Sequence, residues 1–161
     1  MLAALDLATL RAFRTRGHTP RRERAVRAFS RIGEQAMVWY ALCGMGALLD
    51  PDNRAVYGRT AGTVLGAYTA NQLIKALARR PRPRLEGLPP LAGTLSGLSY
   101  PSAHSATSFA AARMLSPALP AAPLYATAVS LALSRIYLGL HYPSDVLAGA
   151  ALGTAIAELA S

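Results

Sequence analysis

Residues 119–133 carry no charged side chain, and residues 146–160 carry only Glu158. Between them stands "SRIYLGLHYPSD" (134–145), which brings Arg135, His141 and Asp145. Two apolar stretches of helix length, interrupted by ionisable groups, leave the chain few folds. A polar group buried without a partner costs several kcal/mol, so the stretches must pack as helices whose ends carry the polar groups to a common rim. Ionisable residues beside membrane-like segments are functional candidates by default.

The same layout recurs upstream. Helices are expected over roughly 34–49, 54–78, 102–115, 119–138 and 143–160. Crossing hydrocarbon takes about 20 residues, so 34–49 and 102–115 are short and should be mismatched or partly buried. Mean hydropathy of +0.25 does not decide the class, but 52% hydrophobic and 16% charged residues do lean toward a membrane, since soluble domains carry roughly 25% charged residues. The expected fold is an all-α, polytopic membrane helix bundle, with about five membrane helices behind an amphipathic N-terminal segment. A single domain over 1–161 is expected, divided into a basic amphipathic arm (1–33) and a catalytic helix bundle (34–161). Gly58, Gly62 and Gly66 form a doubled GxxxG in the second helix, and Gly149 and Gly153 repeat the spacing in the last. Small residues at this spacing let helices approach closely. Intramolecular packing is the first expectation, and homo-oligomerisation the second.

Residues 1–13 are too short to span and read as an amphipathic segment on the membrane surface. Residues 1–32 hold eight arginines against Asp6 and Glu23. Such an arm contacts either nucleic acid or an anionic membrane. Phe13 and Phe29 are its only aromatic residues, too few for base stacking, so the membrane is the expected partner and nucleic acid is not. No secretory leader is expected, because the charge follows the first apolar stretch. Cys43, alone in an apolar run, reads as a buried thiol.

Three polar patches fall at helix ends. "KALARRPRP" places Lys75 in the last turn of one helix and Arg82 in a Pro-flanked extended run. "YPSAHSATS" opens a helix at Ser102 with His104 in its first turn. In the third patch Pro143 suits a first helical turn, from which Asp145 can reach back to His141. Between the first two patches, five prolines over 81–101 mark a long loop; loops of that length are usually functional or disordered. Lys75, Arg82 and Arg135 can surround a phosphate, with arginine offering a bidentate fork. A helix starting at Ser102 points free N–H groups at an anion. Two histidines supply nucleophilic and proton-transfer roles, and a carboxylate fixes an imidazole tautomer. Each element alone has an ordinary structural explanation, as a snorkelling arginine, a buried histidine or a helix cap. Yet the one lysine and two of the three histidines of the chain stand in these patches.

Lys75-x6-Arg82-Pro83, then Pro101-Ser102-Ala103-His104, then Ser134-Arg135-x5-His141-x3-Asp145 together resemble the three motifs of the type 2 phosphatidic acid phosphatase superfamily. The resemblance covers residues 54–160. It implies a membrane lipid phosphatase in which His141 is the nucleophile, forming a phosphohistidine, with Asp145 orienting it. His104 then protonates the departing alcohol and later activates water. Lys75, Arg82, Ser102, Ala103 and Arg135 bind the phosphoryl oxygens, and no metal or other cofactor is implied. There are two departures. Ala103 stands where the family usually has glycine, and the first of six customary membrane helices is replaced by the basic arm.

The motif face also carries the arm, while the opposite loops carry Asp50, Asp52, Arg54 and Arg113. The positive-inside rule then puts the active site on the cytoplasmic side of a bacterial cell membrane, unless the arm inserts, which reverses it. A cytoplasmic site favours a lipid intermediate made inside the cell. The short, Arg- and Ala-rich form is similar to the actinobacterial members acting on decaprenylphosphoryl-5-phosphoribose, a precursor of cell-wall arabinan. Undecaprenyl pyrophosphate and phosphatidylglycerol phosphate are the alternative substrates. A non-catalytic anionic-lipid-binding protein would keep the cations but would not need both histidines and Asp145. Vanadate-dependent haloperoxidases share the phosphate pocket but are larger and soluble.

Overall fold

The computed structural model describes residues 2–161; Met1, at the head of the N-terminal apolar stretch, lies outside the described residues. These residues form seven α-helices and no strand: α1 (Leu2–Thr15), α2 (Pro20–Ile32), α3 (Met37–Leu49), α4 (Arg54–Ala78), α5 (Ala103–Leu115), α6 (Ala121–Tyr137) and α7 (Pro143–Ala160). The all-helical expectation is met, and the last four helices lie within two residues of their expected bounds.

Helix α5 is the axis. Ten of its thirteen residues are buried, and α4, α6 and α7 pack around it. Its Ala- and Ser-rich sequence permits this, because small side chains bring neighbouring backbones close. On α7, a Cβ at Gly149 would overlap the Ser102 carbonyl, and one at Gly153 the Ala106 carbonyl. Those two glycines therefore set the α5–α7 approach, as expected. The α4 stripe does not behave this way. A Cβ at Gly58, Gly62 or Gly66 would meet nothing within 4 Å, which overturns the expectation that this stripe packs inside the protein. The aromatic residues anchor α3 instead: Trp39 Nε1 donates to Ser108 Oγ of α5 at 2.9 Å, and Gly46 leaves room for the buried Tyr57 ring of α4.

The N-terminal arm is two helices. Thr19 caps α2, accepting from the Arg22 amide at 3.2 Å, and Pro20 occupies the first turn, where its missing N–H costs nothing. Rather than lying only on a surface, α1 packs on α6 and α7, with Leu10 inaccessible and Asp6 and Arg14 buried. From α2 the chain turns into α3 through Gln35 and Ala36, whose φ values of 50° and 61° are left-handed. This corner delays α3 to Met37 instead of residue 34, and a non-glycine residue there costs about 1 kcal/mol.

Residues 79–102 pair with their own backbone, where Arg82 N–H donates to Gly97 O at 3.0 Å and Ser99 N–H to Arg80 O at 2.8 Å, and with the end of α6, where Leu91 N–H donates to Leu138 O at 2.9 Å. At 1.5 Å per residue α4 is about 37 Å long and α5 about 20 Å. No helix among the described residues is both long and apolar enough to cross a membrane by hydropathy. Large apolar side chains nevertheless face outward along several of them, including Leu48, Leu65, Leu77, Leu133, Leu147 and Leu159.

Candidate active site

The three motif patches converge where α4 and α6 end and α5 and α7 begin. Lys75, Arg82, Ala103, His104, Arg135 and His141 line one cavity of about 560 Å³. Ser102 and Asp145 stand directly behind its wall, both fully buried. Every residue singled out from the sequence is therefore at this place.

Hydrogen-bond chemistry fixes the state of His141. Arg82 Nη1 lies 3.1 Å from His141 Nε2. A guanidinium can only donate, so Nε2 carries the lone pair and Nδ1 the proton. Nδ1 faces Asp145 Oδ2 at 3.6 Å, just beyond hydrogen-bonding distance, and has no other partner. Burial pushes the imidazole down to about 3; the Asp145 carboxylate opposes this, while the Arg82 and Arg135 cations add to it. At neutral pH this leaves an uncharged ring with its lone pair toward the cations.

His104 is held differently. Its Nε2 is 3.1 Å from the Ser30 carbonyl, which can only accept, so Nε2 bears a proton and Nδ1 is left without a protein partner. Gly33 packs on this ring edge so closely that a Cβ there would strike it. Arg135 donates through Nη1 to Ser30 Oγ at 2.6 Å, and its Nε is buried without a partner. Ser102 caps α5 by accepting from the Ser105 amide at 3.4 Å, and its own N–H donates to Asp145 O at 2.9 Å. Ala103 opens the helix and is not among the positive-φ residues, so alanine in place of the usual glycine introduces no backbone strain.

Three functional contacts escaped the sequence reading. Arg80 donates to Asp145 Oδ1 at 2.7 Å, to Ser144 Oγ at 2.7 Å and to Asp6 Oδ2 at 2.8 Å. With the Tyr142 N–H on Oδ2 at 2.9 Å, Asp145 is clamped on both oxygens. The available signal was the doubled Arg-Pro: alternate residues of an extended run share a face, so Arg80 reaches Asp145 and Arg82 reaches His141. Asp6 was legible only as a lone acid in an apolar stretch, and Ser30 carried no signal. Arg80→Met should lower kcat about 10- to 100-fold, the range seen when the group orienting a metal-ligating histidine is removed, with KM little changed. Phosphate-release kinetics read that split, and a loss confined to KM would exclude an orienting role.

Residues 57–161 match the PAP2 superfamily. The chain is 40% identical over 134 residues to the decaprenylphosphoryl-5-phosphoribose phosphatase of Mycobacterium tuberculosis, spanning 83% of this chain and 75% of that one. Aquifex aeolicus LpxE superposes with a TM-score of 0.83 at 23% identity, covering 97% of this chain and 94% of its own. The transmembrane PAP2 type phosphatidylglycerolphosphate phosphatase of Bacillus subtilis superposes with a TM-score of 0.78, again at 23% identity, covering 98% and 83%. The family match begins within α4 and runs through all three motif patches. The alignment to the mycobacterial phosphatase extends further, into the N-terminal arm, and the overlap in fold takes in nearly every residue. The chain belongs to the PAP2 superfamily.

Proposed function

We propose that this phosphatase removes the terminal phosphate of decaprenylphosphoryl-5-phosphoribose, through a phosphohistidine and without a metal. The observation that carries this reading is the convergence of both histidines and the cations Lys75, Arg82 and Arg135 on one cavity. The cations and the first amides of α5 take the phosphoryl oxygens. His141 Nε2 attacks phosphorus as the bond to the ribose oxygen breaks, and protonated His104 gives its proton to that oxygen. His104, now neutral, takes a proton from water, which attacks the phosphohistidine and frees inorganic phosphate and His141. Asp145 stabilises the positive charge that develops on His141.

The identity to the mycobacterial phosphatase supports the pentose substrate. Purified protein should release phosphate fastest from decaprenylphosphoryl-5-phosphoribose when compared with undecaprenyl pyrophosphate and phosphatidylglycerol phosphate. Preference for either of the others would replace the substrate assignment.

The protein is a multi-pass membrane protein of one domain, with its site on the cytoplasmic face. The outward leucines of α3, α4, α6 and α7 support insertion. The arm supports the orientation: α1 and α2 both join the motif end, through Asp6 on Ser144 and Ser30 on Arg135. With Cys43 replaced, a cysteine at Thr94 should resist a membrane-impermeant thiol reagent in intact spheroplasts and react once they are opened. Labelling of sealed cells would reverse the orientation and favour an externally exposed pyrophosphate substrate.

A further inference from the structure

A second cavity, about 700 Å³, adjoins the first and shares Glu34, Gly93 and Arg135 with it. Its character is different. Arg27, Ser30 and Arg31 supply one wall from α2, Pro90 to Gly93 supply another, and Arg135 stands between the two cavities. The spacing 27, 30, 31 places those residues on one helical face. Three arginines thus meet a single carboxylate, Glu34. Among the described residues Arg27 and Arg31 make no ion pair, and the Nε atoms of Arg27 and Arg135 are buried without an acceptor. Buried donors are ordinarily satisfied, so acceptors are expected from outside the protein.

The geometry points to a second anion subsite, in which Arg27 and Arg31 bind a phosphodiester of the same lipid whose terminal phosphomonoester occupies the catalytic cavity. This rests on the phosphatase reading above and adds a specificity determinant to it. The shared Arg135 wall makes the two subsites adjacent, as two phosphates separated by one sugar or glycerol unit require. In the proposed insertion α2 belongs to the basic arm at the motif end, and basic segments of that kind meet the phosphates of lipid headgroups. The subsite therefore selects lipids carrying two phosphates over simple lipid monoesters, and Glu34 limits how tightly the second phosphate is held.

Two short-chain probes test this: farnesylphosphoryl-5-phosphoribose, and the farnesyl riboside 5-phosphate that lacks only the bridging phosphodiester. The wild-type ratio of kcat/KM should favour the first by about tenfold or more, equivalent to about 1.4 kcal/mol. In Arg27→Gln/Arg31→Gln the ratio should collapse toward one. A wild-type ratio of one, or a ratio unmoved by the double substitution, overturns the subsite. Should the double variant fail to fold, Glu34→Gln at an exposed position decides, since the ratio must then rise. Weaker inhibition by inorganic phosphate on both probes, with the ratio unmoved, identifies a product-release site and also overturns the proposal. If neither ribose compound is cleaved, the pentose reading falls by itself. The same ratio between dihexanoyl phosphatidylglycerol phosphate and dihexanoyl phosphatidic acid, of which only the first carries a phosphodiester beside its phosphomonoester, then decides the subsite through its response to the double substitution.

Discussion

His141→Ala should lose on the order of 10⁴- to 10⁶-fold in kcat, the scale on which removal of an enzymatic nucleophile is felt. In the proposed reaction the lone pair on Nε2 makes the new bond to phosphorus, and water in its place lacks both the position and the charge stabilisation from Asp145. The fold should tolerate the change, because His141 lies in the junction between α6 and α7 and its ring makes one side-chain hydrogen bond, to Arg82. Wild-type protein quenched during turnover of ³²P-labelled substrate should retain an acid-labile label, and the variant should not. Activity should also survive EDTA: among the described residues no group of three His, Cys, Asp or Glu side chains is placed to hold a metal. Loss of activity with EDTA and its return with Mg²⁺ would replace the mechanism with a metal-assisted one.

His104→Ala is expected to show a dependence on leaving group that a structural role would not produce. General acid–base assistance is worth about 10² to 10⁴ in rate. That loss should appear in full on an alkyl or sugar phosphate, whose departing oxygen needs a proton. It should shrink on p-nitrophenyl phosphate, whose phenolate leaves readily as an anion. The Ser30 carbonyl holds the Nε2 proton, so in this role Nδ1 faces the leaving oxygen. Equal losses on both substrates would show that His104 only shapes the cavity.

The sequence revealed most where chemistry and helix ends coincide. Lys75, Arg82, His104, Arg135, His141 and Asp145 were legible, because ionisable residues are costly inside apolar helices and gather at a rim, and Ser102 was legible as a helix start. Helix bounds followed for the same reason, as with Pro143 opening α7. What escaped depends on distance along the chain. Arg80 meets Asp6 across 74 residues, and Ser30 meets Arg135 across 105; neither local pattern nor spacing encodes such a register. The α4 glycines misled because GxxxG reports that close approach is possible, not that a neighbour is present. The arm was legible only in part, because its arginines dominate its composition and hide the inward-facing Leu10, Asp6 and Arg14 that pack α1 against the bundle.

Ser30 and Asp6 have a bearing on engineering. The PAP2 match begins at residue 57, which invites transplanting 57–161 alone into another membrane scaffold. Such a chimera would keep every motif residue, yet His104 and Arg135 would lose their Ser30 partner, and the Arg80–Asp145 clamp its Asp6 end. His104 and Arg135 would then be free to shift relative to His141, which Arg82 would still hold. The unit of exchange among such enzymes is therefore the motif helices together with whatever segment buttresses them from the front, and compatibility across that seam, rather than motif identity, should govern which hybrids turn over.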